Sequence, residues 1–130
     1  CGHHCGYCDF AVTAGQDHLI ELYLDALELE LRSLGDPRPV ETRFVGGGTP
    51  TYLSAAQLAR LLALMNRWLP LVPPSDGSPC EVSVESTPES IDDEKAAVLA
   101  AGGVTRVSVG VQSFRPHLLA ALDRRHGAEH

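Results

Sequence analysis

Hydrophobic residues recur along this chain at the two spacings that distinguish helices from strands. Between residues 17 and 34, the set Leu24, Leu27, Leu31 and Leu34 recurs every three or four positions, and Gly35 and Pro37 follow, as at the end of a helix. Other short runs alternate apolar and polar residues, as a strand does. The predicted helices cover residues 17–34, 55–69, 92–101 and 116–122, and the predicted strands cover residues 41–45, 81–85 and 106–111.

Strands that alternate with helices predict βα units and a parallel sheet, and therefore an α/β fold. Along the second and third strands the valines share one side, whereas the other side carries Ser83, Glu85, Ser108 and Gln112. A parallel sheet covered by helices on both faces would be apolar on both. We therefore expect part of an α/β barrel whose polar inner side holds a ligand at the C-terminal ends of the strands.

Composition and charge narrow the classes of function. With 130 residues, 44% hydrophobic and 21% charged, the chain has the profile of one globular domain or part of one. Its net charge of -7 argues against nucleic-acid binding and against a polybasic membrane anchor. The sequence has no apolar run of the ~18 to 20 residues that a transmembrane helix needs. Because it begins with Cys1 rather than methionine, we expect a processed chain or a fragment.

Three of the four cysteines form a C-x3-C-x2-C pattern at the start of the chain: Cys1, Cys5 and Cys8. Cysteines packed so closely make a poor disulfide framework but can hold a metal cluster, which indicates a reducing compartment. A zinc site completed by His3 or His4 is the alternative, and chance clustering of free thiols is a weaker one. Zinc fingers usually supply two separated pairs of ligands, and the sequence has no second pair, which favours the cluster. We expect Cys80, alone in a Pro/Gly-rich loop, to be uninvolved.

Five motifs in order carry a resemblance to a known family. They are the cysteine pattern with Tyr7 before its last cysteine, the triple glycine with Thr-Pro-Thr at residues 46–51, the strand at 81–85, and the segments 108–114 and 122–126. This set resembles the radical S-adenosylmethionine (SAM) family, in particular the subfamily formed by oxygen-independent coproporphyrinogen III oxidase and a related heme chaperone. One such motif would be a weak signal, but five at sensible spacing over residues 1–126 are specific.

The resemblance implies a portion of a partial (β/α)6, TIM-like barrel with outer helices. It implies that Cys1, Cys5 and Cys8 hold three irons of a 4Fe–4S cluster, whose fourth iron binds S-adenosylmethionine and whose electron cleaves the sulfonium. We expect residues 1–130 to be a fragment of a single core domain, with a cluster loop at 1–15 and βα units from about 16 onward. The strand before Cys1 and a C-terminal region, including the heme ligands, would lie outside it.

The resemblance also assigns S-adenosylmethionine contacts, to Tyr7, Gly47, Gly48, Thr49, Glu85, Gln112 and Arg124. Each has an ordinary alternative. The glycines could form a mere tight turn, Glu85 could be an exposed loop carboxylate, and Arg124 could be a solvated charge at a helix end. Gln112 is less ambiguous, because an amide on the inner face of a strand needs partners. We expect Tyr7 to pack over the cluster and cofactor.

One departure separates the two relatives. The oxidase pattern has a further cysteine two residues after the third, whereas here Cys8 is followed by Asp9 and Phe10, as in the heme-chaperone branch. The resemblance therefore implies a cytoplasmic protein that binds heme and hands it to a heme-acceptor protein, with an electron donor as a further partner. Oxidative decarboxylation of a porphyrinogen is the alternative, and a small zinc-binding interaction module is a distant one. His3, His4 and His126 are interpreted as surface or packing residues.

Overall fold

The computed structural model describes residues 1–127, and its elements follow the predicted order. The helices are α1 (Ile20–Arg32), α2 (Ala55–Trp68), α3 (Asp93–Ala101) and α4 (Pro116–Ala121), and the strands are β1 (Thr42–Val45), β2 (Glu81–Ser86) and β3 (Arg106–Val109). Local chemistry explains their ends. Ser54 caps α2 in a reciprocal capping box with Gln57, and Asp92 caps α3 by accepting a hydrogen bond from the Lys95 amide.

The three strands form one parallel sheet in the order β1-β2-β3. Val45 pairs with Val84, and Glu85 pairs with Ser108, so the strands end close to one another. The segments that follow the strands therefore meet at one edge of the sheet. This arrangement confirms the predicted parallel α/β architecture.

The hydrophobic core lies between the valine side of the sheet and two helices. Leu58 and Leu62 of α2 pack there with Val84 of β2 and Leu99 of α3, and Leu58 and Val84 are fully buried. The spacing of Leu58 and Leu62 puts both on one face of α2, as the sequence pattern predicts. The valines of β2 therefore face helices. The polar candidate residues lie on the opposite side of the sheet and at the ends of the strands.

The third strand is shorter than predicted, and this changes the place of Gln112. Val109 pairs with Ser86, the last residue of β2, so no further strand residues of β2 remain to pair with residues beyond 109. The chain turns there, with Val111 N–H donating to Val109 O at 3.0 Å and Gln112 at φ 66°. The expectation that Gln112 lies on the inner face of a strand is therefore wrong, because it belongs to the following loop.

Side chains cover the polar side of the sheet around Ser83. Ser83 is fully buried, because its hydroxyl donates to Glu81 Oε1 at 2.7 Å and accepts from Arg106 Nε at 2.8 Å. Arg106 and Glu81 also form an ion pair at 3.3 Å. Ser83 is thus held by these side chains rather than facing a ligand, as its face was expected to do, and the accessible part of the polar side begins at Glu85.

Within residues 1–127, no helix combines the length and the apolar character that crossing a membrane requires.

Replacing Leu58 with alanine should strongly destabilise the chain, because the fully buried side chain leaves a cavity between α2 and β2. We expect the free energy of unfolding to fall by about 2 to 5 kcal/mol. The matched control is Leu22→Ala, which removes a leucine that is 64% exposed on α1. Urea unfolding of both variants measures the difference, and equal losses would contradict this description of the core.

Candidate functional site

A cavity of about 230 Å³ lies at the edge where the three strands end. Its walls come from the cysteine loop, from the segments after β1, β2 and β3, and from the segment after α4. All ten residues that the sequence singles out line it: Cys1, Cys5, Tyr7, Cys8, Gly47, Gly48, Thr49, Glu85, Gln112 and Arg124. The structure thus brings together residues that are up to 123 positions apart, while their individual roles stay predictions.

The three cysteines of the loop are free and half-buried. A turn closed by Cys8 N–H donating to Cys5 O at 3.0 Å sets their spacing, and Cys1 Sγ lies 3.1 Å from Thr49 Oγ1. No three His, Cys, Asp or Glu side chains among residues 1–127 surround one point as ligands of a single ion would. A 4Fe–4S cluster binds its cysteines through different irons, so its ligands need not surround one point.

Contacts with two other segments hold the cysteine loop against the sheet edge. Gly2 lies so close to Tyr52 that a Cβ there would be 2.7 Å from the ring, and His3 Nε2 donates to Asp123 O at 2.9 Å. Tyr52 is fixed in turn, because its hydroxyl donates to Asp17 Oδ2 at 2.8 Å. This hydrogen bond raises the pKa of Tyr52, since ionisation would leave two anions in contact. The loop is therefore anchored independently of any bound group.

The triple glycine forms a turn, and the carboxylate of Glu85 holds this turn through a hydrogen bond. Gly47 has φ 113°, a conformation that favours glycine, and its N–H donates to Glu85 Oε2 at 3.0 Å. A Cβ on Gly46 would lie 2.6 Å from the same carboxylate oxygen, and one on Gly48 would lie 3.5 Å from Cys1 Sγ. Glu85 is thus half-buried and tied to the turn rather than an exposed loop carboxylate, and the turn exposes bare backbone to the cavity.

Arg124 reaches the cavity because α4 ends in a sharp reversal. Asp123 adopts φ 53°, its N–H donates to Ala120 O at 3.1 Å, and Arg124 N–H donates to Leu119 O at 2.9 Å, which is a Schellman cap. The guanidinium then donates to Gly110 O at 2.7 Å and contacts Cys5 Sγ at 3.4 Å. Arg124 is half-buried beside a cysteine, so the alternative of a solvated helix-end charge is wrong.

One atom of this arginine lacks a hydrogen-bond partner. Four buried side-chain nitrogens among residues 1–127 make no hydrogen bond, and Arg124 Nε is one of them. Buried donors in native proteins are nearly always paired, so an unpaired one on a residue that lines the cavity is consistent with a ligand that accepts from it. A cysteine-rich loop beside a cation, a bare glycine turn and an unpaired donor together fit a metal cluster and a polar cofactor.

The remaining predicted residues occupy different parts of the site. Gln112 reaches the cavity from the loop after β3, and its amide lies 3.2 Å from where a Cβ on Gly110 would stand. Tyr7 lines the cavity and is 47% exposed. Cys80 is not among the residues that line this cavity, and its thiol donates to Val72 O at 3.3 Å. That Cys80 takes no part in the site stays a prediction.

Sequence reasoning missed a buried polar network behind the cavity. Thr51 Oγ1 donates to Ser86 Oγ at 2.9 Å and lies 2.6 Å from Ser90 Oγ. Lys95 Nζ donates to the carbonyls of Thr51 and Ser90, at 2.9 and 3.0 Å. These residues come from three separate segments. Only Thr51 belongs to a motif that the sequence singles out, at residues 46–51, so the sequence offers no signal that joins them. It ties the turn after β1 to the connection between β2 and α3.

Comparison of the sequence with those of known proteins finds relatives that cover nearly the whole chain. The protein named heme chaperone HemW from Bacillus subtilis is 42% identical to the chain over 130 residues, which are 97% of this chain and 33% of that protein. The oxygen-independent coproporphyrinogen III oxidase of Salmonella typhimurium is 37% identical over 128 residues, which are 96% of this chain and 26% of the oxidase. The chain therefore spans about a third or less of the length of these relatives.

A solved structure shows the same fold. Coproporphyrinogen III oxidase (HemN) from Escherichia coli, described as a radical SAM enzyme, matches 99% of this chain with a TM-score of 0.84 and 33% sequence identity, over 30% of its own chain. This match confirms that the three-stranded sheet and its helices are a portion of a TIM-like radical SAM barrel. The family model described as the radical SAM superfamily matches residues 1–130, and the chain therefore belongs to that superfamily.

Proposed function

We propose that this chain is the cofactor-binding part of a radical SAM heme chaperone, which binds a 4Fe–4S cluster and S-adenosylmethionine and which binds heme and transfers it. The observation that carries the proposal is a cavity lined by three cysteines, a glycine turn and Arg124. The name heme chaperone HemW on a relative that is 42% identical supports the heme-related part.

Cys1, Cys5 and Cys8 are the proposed ligands of the cluster. The three residues line one cavity, and the guanidinium of Arg124 contacts Cys5 Sγ at 3.4 Å, where it would balance negative charge on bound thiolates. When bound, the cluster supplies an electron for cleavage of the sulfonium of S-adenosylmethionine, and such radical chemistry belongs to the cofactor rather than to the protein. The chain's own residues ligate the cluster, and they orient and shield the cofactor.

The proposed S-adenosylmethionine contacts divide by chemistry. Gly47, Gly48 and Thr49 offer main-chain groups at close approach, and Glu85 holds that turn through the Gly47 amide at 3.0 Å. The unpaired Nε of Arg124 offers a charged donor to a carboxylate or to ribose oxygens. We assign Gln112 an amide contact from the loop after β3, and Tyr7, which also lines the cavity, a role in packing over the cofactor.

The second candidate function is oxidation of coproporphyrinogen III, and the TM-score of 0.84 with HemN favours it. The position that carries a further cysteine in the oxidase pattern is Phe10 here, which lines the cavity and is 61% exposed. A phenylalanine supplies no thiol, and this departure makes the chaperone the better-supported function.

Partners and location follow from the same proposal. A heme chaperone requires a heme-acceptor protein, and reduction of its cluster requires an electron donor. We place the protein in the cytoplasm, because a reducing compartment keeps free thiols such as Cys1, Cys5 and Cys8 available for a cluster.

Replacing Cys1, Cys5 or Cys8 with alanine should abolish cluster assembly, because each removes one of three thiolate ligands. Cys80→Ala is the matched control, since its thiol lies outside the cavity wall. Iron and acid-labile sulfide per chain after anaerobic reconstitution measure the effect. Loss of the cluster in the Cys80 variant with retention in the Cys5 variant would overturn the ligand assignment, and zinc instead of iron and sulfide would overturn the cluster.

Arg124→Ala should weaken S-adenosylmethionine binding by about 1.5 to 3 kcal/mol, the usual range for a hydrogen bond to a charged group. This corresponds to about a ten- to hundredfold higher Kd. Calorimetry on the reconstituted protein measures it, and Arg38→Ala, an exposed arginine that precedes β1, is the control. An unchanged Kd in the Arg124 variant would remove this residue from the site.

The two candidate functions, chaperone and oxidase, predict different outcomes. The test uses a protein that is as long as the relatives and contains this chain. The chaperone should bind heme in a stable complex, pass it to an apo-acceptor, and yield no protoporphyrinogen from coproporphyrinogen III in the presence of S-adenosylmethionine and a reductant. Heme absorbance and product analysis by chromatography report the two activities. Turnover without heme binding would establish the oxidase instead.

A further inference from the structure

His126 is a buried histidine, although its place two residues after Arg124 in a segment without regular structure would leave most side chains exposed. Its side chain is 1% exposed. Its Nε2 lies 2.9 Å from Val111 O. A carbonyl oxygen only accepts, so the hydrogen of this bond is on Nε2. His126 therefore ties the segment after α4 to the loop after β3.

The other ring nitrogen faces a third segment. His126 Nδ1 lies 3.5 Å from Glu89 Oε2, within ion-pair distance when the ring is protonated, and it makes no hydrogen bond. Glu89 belongs to the short 3-10 turn Pro88–Ser90 that follows β2. The imidazole ring of His126, which lies in the segment after α4, thus contacts the segments that follow β2 and β3.

Each of these segments contributes to the wall of the candidate site. Val111 is next to Gln112, the turn at Glu89 follows Glu85 and Thr87, and Arg124 shares its segment with His126. From this juxtaposition we propose that His126 is a positioning residue, which holds the Arg124 guanidinium at the cavity between Cys5 and Gly110. The inference rests on the proposed function, in that it assumes that this cavity binds S-adenosylmethionine.

The segment after α4 needs such a tether for a physical reason. Helix α4 has six residues, too few to be stable without tertiary contacts, and Leu119 is its buried residue. Asp123 beyond it has φ 53°, a conformation that non-glycine residues seldom adopt. Fixing a mobile arginine at the cavity would cost conformational entropy on binding, and a buried ring two residues away removes much of that cost beforehand.

A double-mutant cycle on the reconstituted protein of relatives' length that contains this chain tests the proposal. His126→Ala should raise the Kd for S-adenosylmethionine by about five- to tenfold, the usual effect of losing one hydrogen bond and its order. In the Arg124→Ala background the same change should raise the Kd by less than about twofold, because the guanidinium that it positions is gone. Iron and sulfide content should stay unchanged.

Two further variants separate positioning from folding. His126→Gln retains an N–H donor for Val111 O and should bind within about threefold of the parent chain. The control is His117→Ala, an exposed histidine on α4, which should match the parent. Urea unfolding identifies variants that fail to fold, and His126→Gln then provides the comparison with the parent in both backgrounds.

The outcomes distinguish the two proposals. Unchanged affinity in His126→Ala, or an equal loss with and without Arg124, would overturn the positioning role while leaving the proposed function intact. If the protein of relatives' length that contains this chain, loaded with its cluster, binds no S-adenosylmethionine, the proposed function fails, and this inference fails with it. Coupling to Arg124 with a normal cluster content supports the positioning role.

Discussion

Parallel pairing of three strands is the constraint on which the rest of the structure depends. Because β1, β2 and β3 run in the same direction and in register, the segments that follow them meet at one edge of the sheet. The glycine turn follows β1, the hydroxyl network follows β2, and Gln112 follows β3. None of these groups could form a common cavity if one strand were reversed.

The side of the sheet that faces the helices changes character along the strands. The valine side packs on α2 and α3 and supplies the core around Leu58 and Leu99. Towards the strand ends the same side becomes polar, where Ser86 joins Thr51 and Ser90. This change from apolar to hydroxyl groups lets the connections after β1 and β2 be held rigidly without apolar side chains, and a rigid wall is what a small cofactor site requires.

Two distant ends of the chain close the site. The cysteine loop lies against the sheet edge through Tyr52 and His3, and the segment after α4 returns to meet it at Asp123, Arg124 and Cys5. The contact between Arg124 and Cys5 joins residues 119 positions apart. An ordered site therefore depends on the whole set of βα units between them, which explains why one cavity holds every candidate residue.

The sequence by itself determined the features that arise from neighbouring residues. Leucine spacing and Ser54 located α2 to within a residue, the order of elements indicated a parallel sheet, and the C-x3-C-x2-C pattern and triple glycine marked the candidate chemistry. Each of these depends on side chains or backbone groups a few positions apart, whose geometry is set by helix and turn periodicity.

Tertiary structure decided the rest, because it depends on contacts between segments that no local pattern encodes. Pairing with Ser86 ends β3 at Val109 and moves Gln112 into a loop, and the ion pair of Arg106 with Glu81 covers Ser83. The Schellman cap of α4 aims Arg124 at Cys5, and the folded loops bury His126 between Val111 and Glu89. Where a polar side chain goes is settled by which partner the folded chain brings within hydrogen-bond distance, and that partner lies in another segment.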